Sequence, residues 1–353
     1  MSSNERLGWN AFFHEQADDE LIYARVIEEQ RGAYRLAGGF DGWAEVSGRF
    51  RHEAASPADF PSVGDWVGVS HAIIHRRLDR RSAISRAAPE SGELQIVAAT
   101  VDTVFVVTSL THDRNARRVE RYLTAVWDGG AVPVVLLNKA DLSEDPDAAI
   151  EELRARLPFV DVHAISAIGH AGLKASTAVE AAVQPYLEPA RTIALIGPSG
   201  VGKSTIVNRL VGEERQRTAA VRDADSKGRH TTTARQLVEL PSGALLIDTP
   251  GMRELQLSAD ESSVDAAFDD IASLAERCRF DDCRHDTEPE CAVLAAVASG
   301  ALAADRLEHY RRLLREAAFE MRKHDKAAAS ELKRRWKQVH QAQKTLYRLR
   351  GRS

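Results

Sequence analysis

Gly197-Pro198-Ser199-Gly200-Val201-Gly202-Lys203-Ser204 is the stretch that decides the fold. It has the spacing G-x-x-x-x-G-K-S. Glycines at 197 and 202 let backbone N–H groups close around a phosphate without a Cβ in the way. Lys203 can reach the outer phosphates, and the Ser204 hydroxyl can ligate Mg²⁺, with Thr205 beside it. The flanks agree with that reading. Arg191-Thr-Ile-Ala-Leu-Ile196 is a run suited to a buried strand, and Ser204–Val211 has helical spacing. A strand, a glycine-rich loop and a helix in succession aim a helix N-terminus at an anion.

Working outward, residues 98–255 alternate strand and helix patterns, which predicts a parallel sheet covered on both faces. Strands are expected at Val101–Val107, Val132–Leu137 and Val160–Ile165, and helices at Arg114–Trp127, Ala148–Leu157 and Gly172–Val183. Short polar motifs come after the strands. Asn138-Lys139-Ala-Asp141 comes after the second. A carboxylate there can accept from guanine N1–H and the exocyclic amine, two donors that adenine does not present together. Asn138 and Lys139 would shape the base pocket. Ser166-Ala167 comes after the third strand and can offer a backbone N–H to the guanine oxygen. The run Leu245–Asp248 ends in Asp248-Thr-Pro-Gly251, where Asp248 can hold Mg²⁺ through water and the Gly251 amide can meet a γ-phosphate. Arg229-His-Thr-Thr-Thr233 lies between. Thr232, with Thr231 as second choice, is the expected Mg²⁺ ligand. Adenine nucleotides would leave Asn138–Asp141 unexplained.

The residue after Gly251 is Met252. A thioether cannot orient a water molecule, so another group must, and His230 is the nearest candidate in sequence. Segment 214–234 is polar and lacks apolar periodicity. Residues 222–235 together with 248–258 are the expected two-state element, leading directly into the C-terminal region.

All three cysteines fall within fourteen residues, in Cys278-x4-Cys283-x-His285-x5-Cys291. Three thiolates and one imidazole suit a single tetrahedral Zn²⁺, and four protein ligands make it structural. Buried free cysteines beside a surface histidine are the alternative. Residues 259–353 otherwise have helical composition. Residues 301–353 hold 15 Lys/Arg against 6 Asp/Glu, a local net of +9, which leaves −14 for the first 300 residues. A basic tail on an acidic body suits a polyanionic partner, or else a solvated helix.

Upstream, residues 1–18 include an amphipathic segment, Leu7–Phe13, expected to dock on the β-prone region beyond it. Residues 19–97 contain five short β-prone runs punctuated by Gly, Pro and Asp, which suit a small barrel such as an OB-fold. Arg76, Arg77, Arg80, Arg81 and Arg86 could track an RNA backbone. No apolar run approaches eighteen residues, so no membrane span is expected, and the N-terminus does not fit a signal peptide. A cytoplasmic monomer is the expectation.

The order of these motifs carries a resemblance. The guanine-recognition residues 138–141 and 166–167 precede the phosphate loop, whereas in ordinary GTPases they come after it. A circularly permuted GTPase core (98–258), an N-terminal OB-fold barrel (19–97) and a C-terminal zinc-binding helical domain (259–353) together resemble the RsgA family (YjeQ/YloQ) of small ribosomal subunit biogenesis GTPases. The resemblance implies GTP hydrolysis activated by the small ribosomal subunit and its rRNA, in late subunit assembly, with Mg²⁺ and one Zn²⁺. It implies that His230 is catalytic, and that Cys278, Cys283, His285 and Cys291 are the zinc ligands. The competing readings are a nucleotide-gated RNA-binding module, or a signalling switch, with incidental hydrolysis.

Overall fold

The computed structural model describes residues 2–30, 32–87, 94–111, 116–143, 145–157, 160–169, 178–212, 235–248, 268–280 and 283–315. The chain divides into two compact units, Met1–Ser258 and Ala259–Ser353.

The first unit begins with a barrel. Strands β1 (Ile22–Gln30), β2 (Ala33–Gly38), β3 (Gly42–Val46), β4 (Trp66–Ser70) and β5 (Ile73–Arg77) run in the order β1-β2-β3-β5-β4, and β4 returns to pair with β1. Alternate residues point inward, so Ala24, Val26, Tyr34, Leu36, Val46, Val67, Val69 and Ile74 make one core. Register shifts at Val26/Glu28 and Gly68/Val69 supply the bending that closure needs. The five expected runs thus become five strands. Of the arginine-rich stretch, Arg76 and Arg77 end β5, and Arg80 and Arg81 lie in the irregular link over 78–82. Ala83–Ala87 (β6) and Leu94–Ala99 (β7) form a separate antiparallel pair.

The N-terminal segment docks on the barrel, but as two short helices, Ser3–Arg6 and Ala11–His14. Gly8 at φ +90° breaks the helix, and the Asn10 side chain restarts it by accepting from the Phe12 amide at 3.0 Å. The aromatics between are packing groups. Trp9 and Phe13 lie 4.8 and 5.9 Å from Trp66, centroid to centroid.

Beyond the barrel, β8 (Thr103–Ser109), β9 (Val132–Asn138), β10 (Asp161–Ala164), β11 (Thr192–Ile196) and β13 (Leu245–Asp248) are mutually parallel in the order β10-β9-β8-β11-β13. Their side chains alternate between two cores. Val104, Val106, Val135 and Leu137 meet the helices Ala116–Asp128 and Pro146–Arg156 on one face. Phe105, Val107, Val134 and Leu136 meet the helices Val179–Val183 and Lys203–Val211 on the other. Burial on both faces is why these strands are continuous apolar runs.

One joint was not expected. The short strand β12 (Gln236–Glu239) pairs antiparallel with β13 on one side and touches β1 of the barrel on the other. Barrel and parallel sheet are therefore one hydrogen-bonded surface of eleven strands.

Arg25 fastens the same region from beneath. Its guanidinium is fully buried and donates to three carbonyls from three segments: Leu7 (2.5 Å), Gly64 (3.0 Å) and Thr100 (3.1 Å). Burial lowers its pKa to about 10, so it stays protonated at neutral pH. Arg25→Met keeps the bulk but strips the donors from three carbonyls. It is expected to cost about 3 kcal/mol or more, lowering the melting temperature of the chain by about 6 °C. An unchanged thermal melt would show that Arg25 does not hold these segments together.

The second unit is helical in its described part, with Asp269–Ala275, Ala292–Ala298 and a helical run over 304–315. Its core is Phe268, Ile271, Val293, Leu302, Leu307, Tyr310 and Leu313. Arg306 lies across the Phe268 ring, 4.6 Å from its centroid, and makes two 2.6 Å bonds to the Asp270 carboxylate. Among the described residues, no helix is long and apolar enough to cross a membrane. The basic tail beyond residue 315 lies outside the described residues.

Candidate nucleotide and metal sites

Because β9, β10, β11 and β13 are parallel, the segments leaving their C-terminal ends converge on one edge of the sheet. Asn138 is the last residue of β9, Ser166 lies two residues past β10, Gly197 begins just after β11, and Asp248 ends β13.

The phosphate loop has the backbone its glycines predict. Gly197 has φ +142°, and a Cβ there would lie 2.1 Å from the Val107 carbonyl oxygen. Gly202 has φ +97°, caps the helix Lys203–Val211, and a Cβ there would lie 2.3 Å from Asn138 Nδ2. No side chain fits either place. Lys203 Nζ turns back on the loop and donates to the carbonyls of Gly197 (2.6 Å) and Pro198 (2.7 Å). Ser199, Gly200, Ser204 and Thr205 line the exposed side of the turn, and Val201 packs inward.

Asn138 joins this loop to the segment after β10. Its Nδ2 donates to the Val201 carbonyl (2.7 Å), and its Oδ1 accepts from the Ala167 amide (2.9 Å). The Asp141 carboxylate accepts from the Ser166 hydroxyl at 2.7 Å, which fixes its orientation. Lys139 sits at φ +65°, the left-handed turn that brings Asp141 round. Three segments distant in sequence are thus locked into one constellation. It can present a carboxylate and backbone amides to a planar base, beside a loop that can wrap phosphates. One detail departs from expectation. The Ala167 amide is already engaged by Asn138, so a guanine carbonyl arriving here shares that donor or takes the next amide. Leu142 and Ile168, each one residue past a base motif, are 65% and 71% exposed.

Asp248 closes the edge. It is opposite Gln236 on β12, and burial pushes its carboxyl above the ordinary value. His230, Thr232, Thr231, Gly251 and Met252 lie outside the described residues, as do most of the segments expected to switch.

In the second unit the ligand atoms of Cys278, Cys283, His285 and Cys291 all lie within 4.8 Å of one another, a group that could hold a metal ion. Cys291 also starts the helix Ala292–Ala298, its Sγ accepting from the Leu294 amide at 3.4 Å.

Each of the five arginines has its own partners. Arg80 is 11% exposed, binds Asp65 through Nε and Nη2 (2.9 and 2.7 Å), and donates to the carbonyls of Ala58 and Phe60. Arg77 donates to the carbonyls of Asp59 and Leu78. Arg81 pairs with Asp102, and Arg86 donates to the Gln95 side chain at 3.2 Å. Arg76, 45% exposed, reaches Asp18 at 3.4 Å. Apart from the Leu78 carbonyl, these partners lie 9 to 58 residues away in sequence, beyond a local reading.

Comparison with known proteins agrees with this geometry. The RsgA GTPase family profile matches residues 77–258. An ABC transporter profile matches residues 181–346, a span that contains the phosphate loop but neither Asn138–Asp141 nor Ser166-Ala167. The chain is 42% identical to the small ribosomal subunit biogenesis GTPase RsgA of Opitutus terrae, over 98% of each chain. It is 44% identical to the protein of that name from Methanosarcina acetivorans, over 79% of this chain and 75% of the relative. Among solved structures, YjeQ of Thermotoga maritima superposes with a TM-score of 0.61 at 23% identity, over 84% of this chain and 98% of that one. YloQ, described as a circularly permuted GTPase, gives 0.58 at 25% identity, over 85% and 96%. With base motifs ahead of the phosphate loop, a barrel in front and a cysteine–histidine cluster behind, the chain belongs to the RsgA family of circularly permuted GTPases.

Proposed function

We propose that this protein hydrolyses GTP when bound to the small ribosomal subunit, and that hydrolysis times its release during late subunit assembly. The observation that carries the reading is the Asn138 side chain, which ties Val201 of the phosphate loop to Ala167 of the base loop. That tie joins phosphate and base recognition in a chain whose relatives are named for small-subunit biogenesis. Arg76, Arg81 and Arg86 and the basic tail are the proposed rRNA contacts. Arg77 and Arg80 serve the fold first. The protein is taken as a cytoplasmic monomer.

Asp141 accepts from guanine N1–H and the exocyclic amine, Lys139 flanks the base, and residues 197–205 wrap the phosphates. Ser204, Thr232 and Asp248 would hold Mg²⁺, which supplies neutralising charge at the outer phosphates, and the Gly251 amide meets the γ-phosphate. Asp141→Asn replaces one acceptor with a donor that faces the guanine amine. GTP affinity is expected to fall about 100-fold. Xanthosine nucleotides, which carry an oxygen in place of that amine, are expected to gain. Competition binding of GDP and XDP measures both, and an unaltered preference would remove Asp141 from base recognition.

The metal is proposed to be one structural Zn²⁺. Tetrahedral zinc with Zn–S bonds of about 2.3 Å places sulfurs about 3.8 Å apart, and sulfur and nitrogen about 3.6 Å apart. Cys278 Sγ lies 3.8 Å from Cys291 Sγ, and His285 Nδ1 lies 3.6 and 3.4 Å from those two sulfurs. Those three fit, and Cys283, whose sulfur lies within 4.8 Å of each, would complete the coordination shell.

Co-sedimentation with small subunits tests the proposal. The protein should pellet with them in a non-hydrolysable GTP analogue and be released in GDP. Equal recovery in both states would show that nucleotide does not govern binding.

A further inference from the structure

Arg209 is not part of any motif, yet it reaches the base loop from the phosphate-loop helix. It lies in the last turn of Lys203–Val211. Its Nη1 donates to the Ala167 carbonyl at 3.3 Å. Its Nε and Nη2 donate to the two oxygens of Glu180, at 2.8 and 3.1 Å, a two-point pairing. Glu180 lies in the helix Val179–Val183. One side chain therefore grips both the entry and the exit of the segment that carries Ser166-Ala167. The two ends also meet through a bridge between Ser166 and Ala178. Gly169, at φ +65°, lies close under the guanidinium, where a Cβ would be 3.3 Å from Nη1.

The base loop needs such support. Ala167 has its amide on Asn138 and its carbonyl on Arg209, so its peptide groups are held from both sides. The Asn138 bond fixes the loop to the front of the phosphate turn, and the Arg209 bond fixes it to the helix behind. A loop held this way is pre-organised for the base, and less ordering cost falls on nucleotide binding.

We infer that Arg209, paired with Glu180, is a positioning residue for guanine-nucleotide binding that clamps the base loop to the phosphate-loop helix. The inference rests on the proposal that this site binds guanine nucleotides. The Arg209 contacts are with Ala167 and Glu180, so its loss should weaken binding without altering the chemical step.

The test is steady-state GTP turnover and GDP titration of the full-length protein with Arg209→Ala, Arg209→Lys and Glu180→Ala. Arg209→Ala should raise the KM for GTP and the Kd for GDP about 3–10-fold, with kcat unchanged. Arg209→Lys, which can make one of the bonds but not all three, should recover part of the loss. Glu180→Ala leaves the helix and the Ala167 bond in place, should raise KM by less, and keeps the test alive if Arg209→Ala does not fold. An unchanged KM in Arg209→Ala, or a loss carried by kcat, would overturn the clamp. Failure of the wild-type protein to bind GDP would instead overturn the nucleotide reading beneath it.

Discussion

Removing zinc is expected to unfold the described part of residues 259–353 while guanine-nucleotide binding survives. Structural zinc in small sites is worth about 10–16 kcal/mol, as large as the whole stability of a typical domain. The second unit has a small apolar core, and its turn through His285 sits at φ +57°, an uncommon conformation for a residue other than glycine. Metal analysis of purified protein should give one zinc per chain. A strong chelator should then abolish helical signal and protease resistance from this unit, as should Cys283→Ser. The described residues that ligate nucleotide in this account all lie in the other compact unit, so GDP titration should change little. Absence of zinc, or an unaltered second unit after chelation, would contradict the assignment.

His230→Ala is expected to lower kcat for GTP about 10²–10⁴-fold, the range for loss of a positioned proton acceptor, while leaving the Kd for GTP near wild type. Met252 offers no hydrogen bond to a water molecule, and His230 sits beside Thr231–Thr233, the proposed Mg²⁺-contacting run. Single-turnover hydrolysis with bound subunits separates the chemical step from release. Unchanged turnover would remove His230 from the mechanism.

Much of this architecture was legible because each expectation had a local cause. The strands β8, β9 and β11 are apolar on both faces, and the barrel strands alternate, so period alone separated the two halves of the first unit. The phosphate loop and the cysteine cluster were legible because their chemistry demands fixed spacings. The remainder depends on pairings that sequence does not encode locally. Strand β12 is four residues long and is recognisable only by its neighbours. Yet it places Glu28, Gln236 and Asp248 in one row across the sheet, so the proposed Mg²⁺ residue and the barrel share a hydrogen-bonded line. Arg80 has the look of an RNA contact in sequence, but Asp65, fifteen residues away, takes it into the fold. Arg25 and Arg209 gave no signal, because their partners are backbone carbonyls and, for Arg209, a carboxylate twenty-nine residues away.

The row through β12 gives the barrel a physical route to Asp248. Subunit binding and GTP turnover should then be linked, since a partner that favours one state of the phosphate site must alter it. The most direct measurement is the GTP turnover rate of the purified protein with and without small ribosomal subunits. This account predicts that saturating small subunits raise kcat at least tenfold, whereas a rate that small subunits leave unchanged would contradict it.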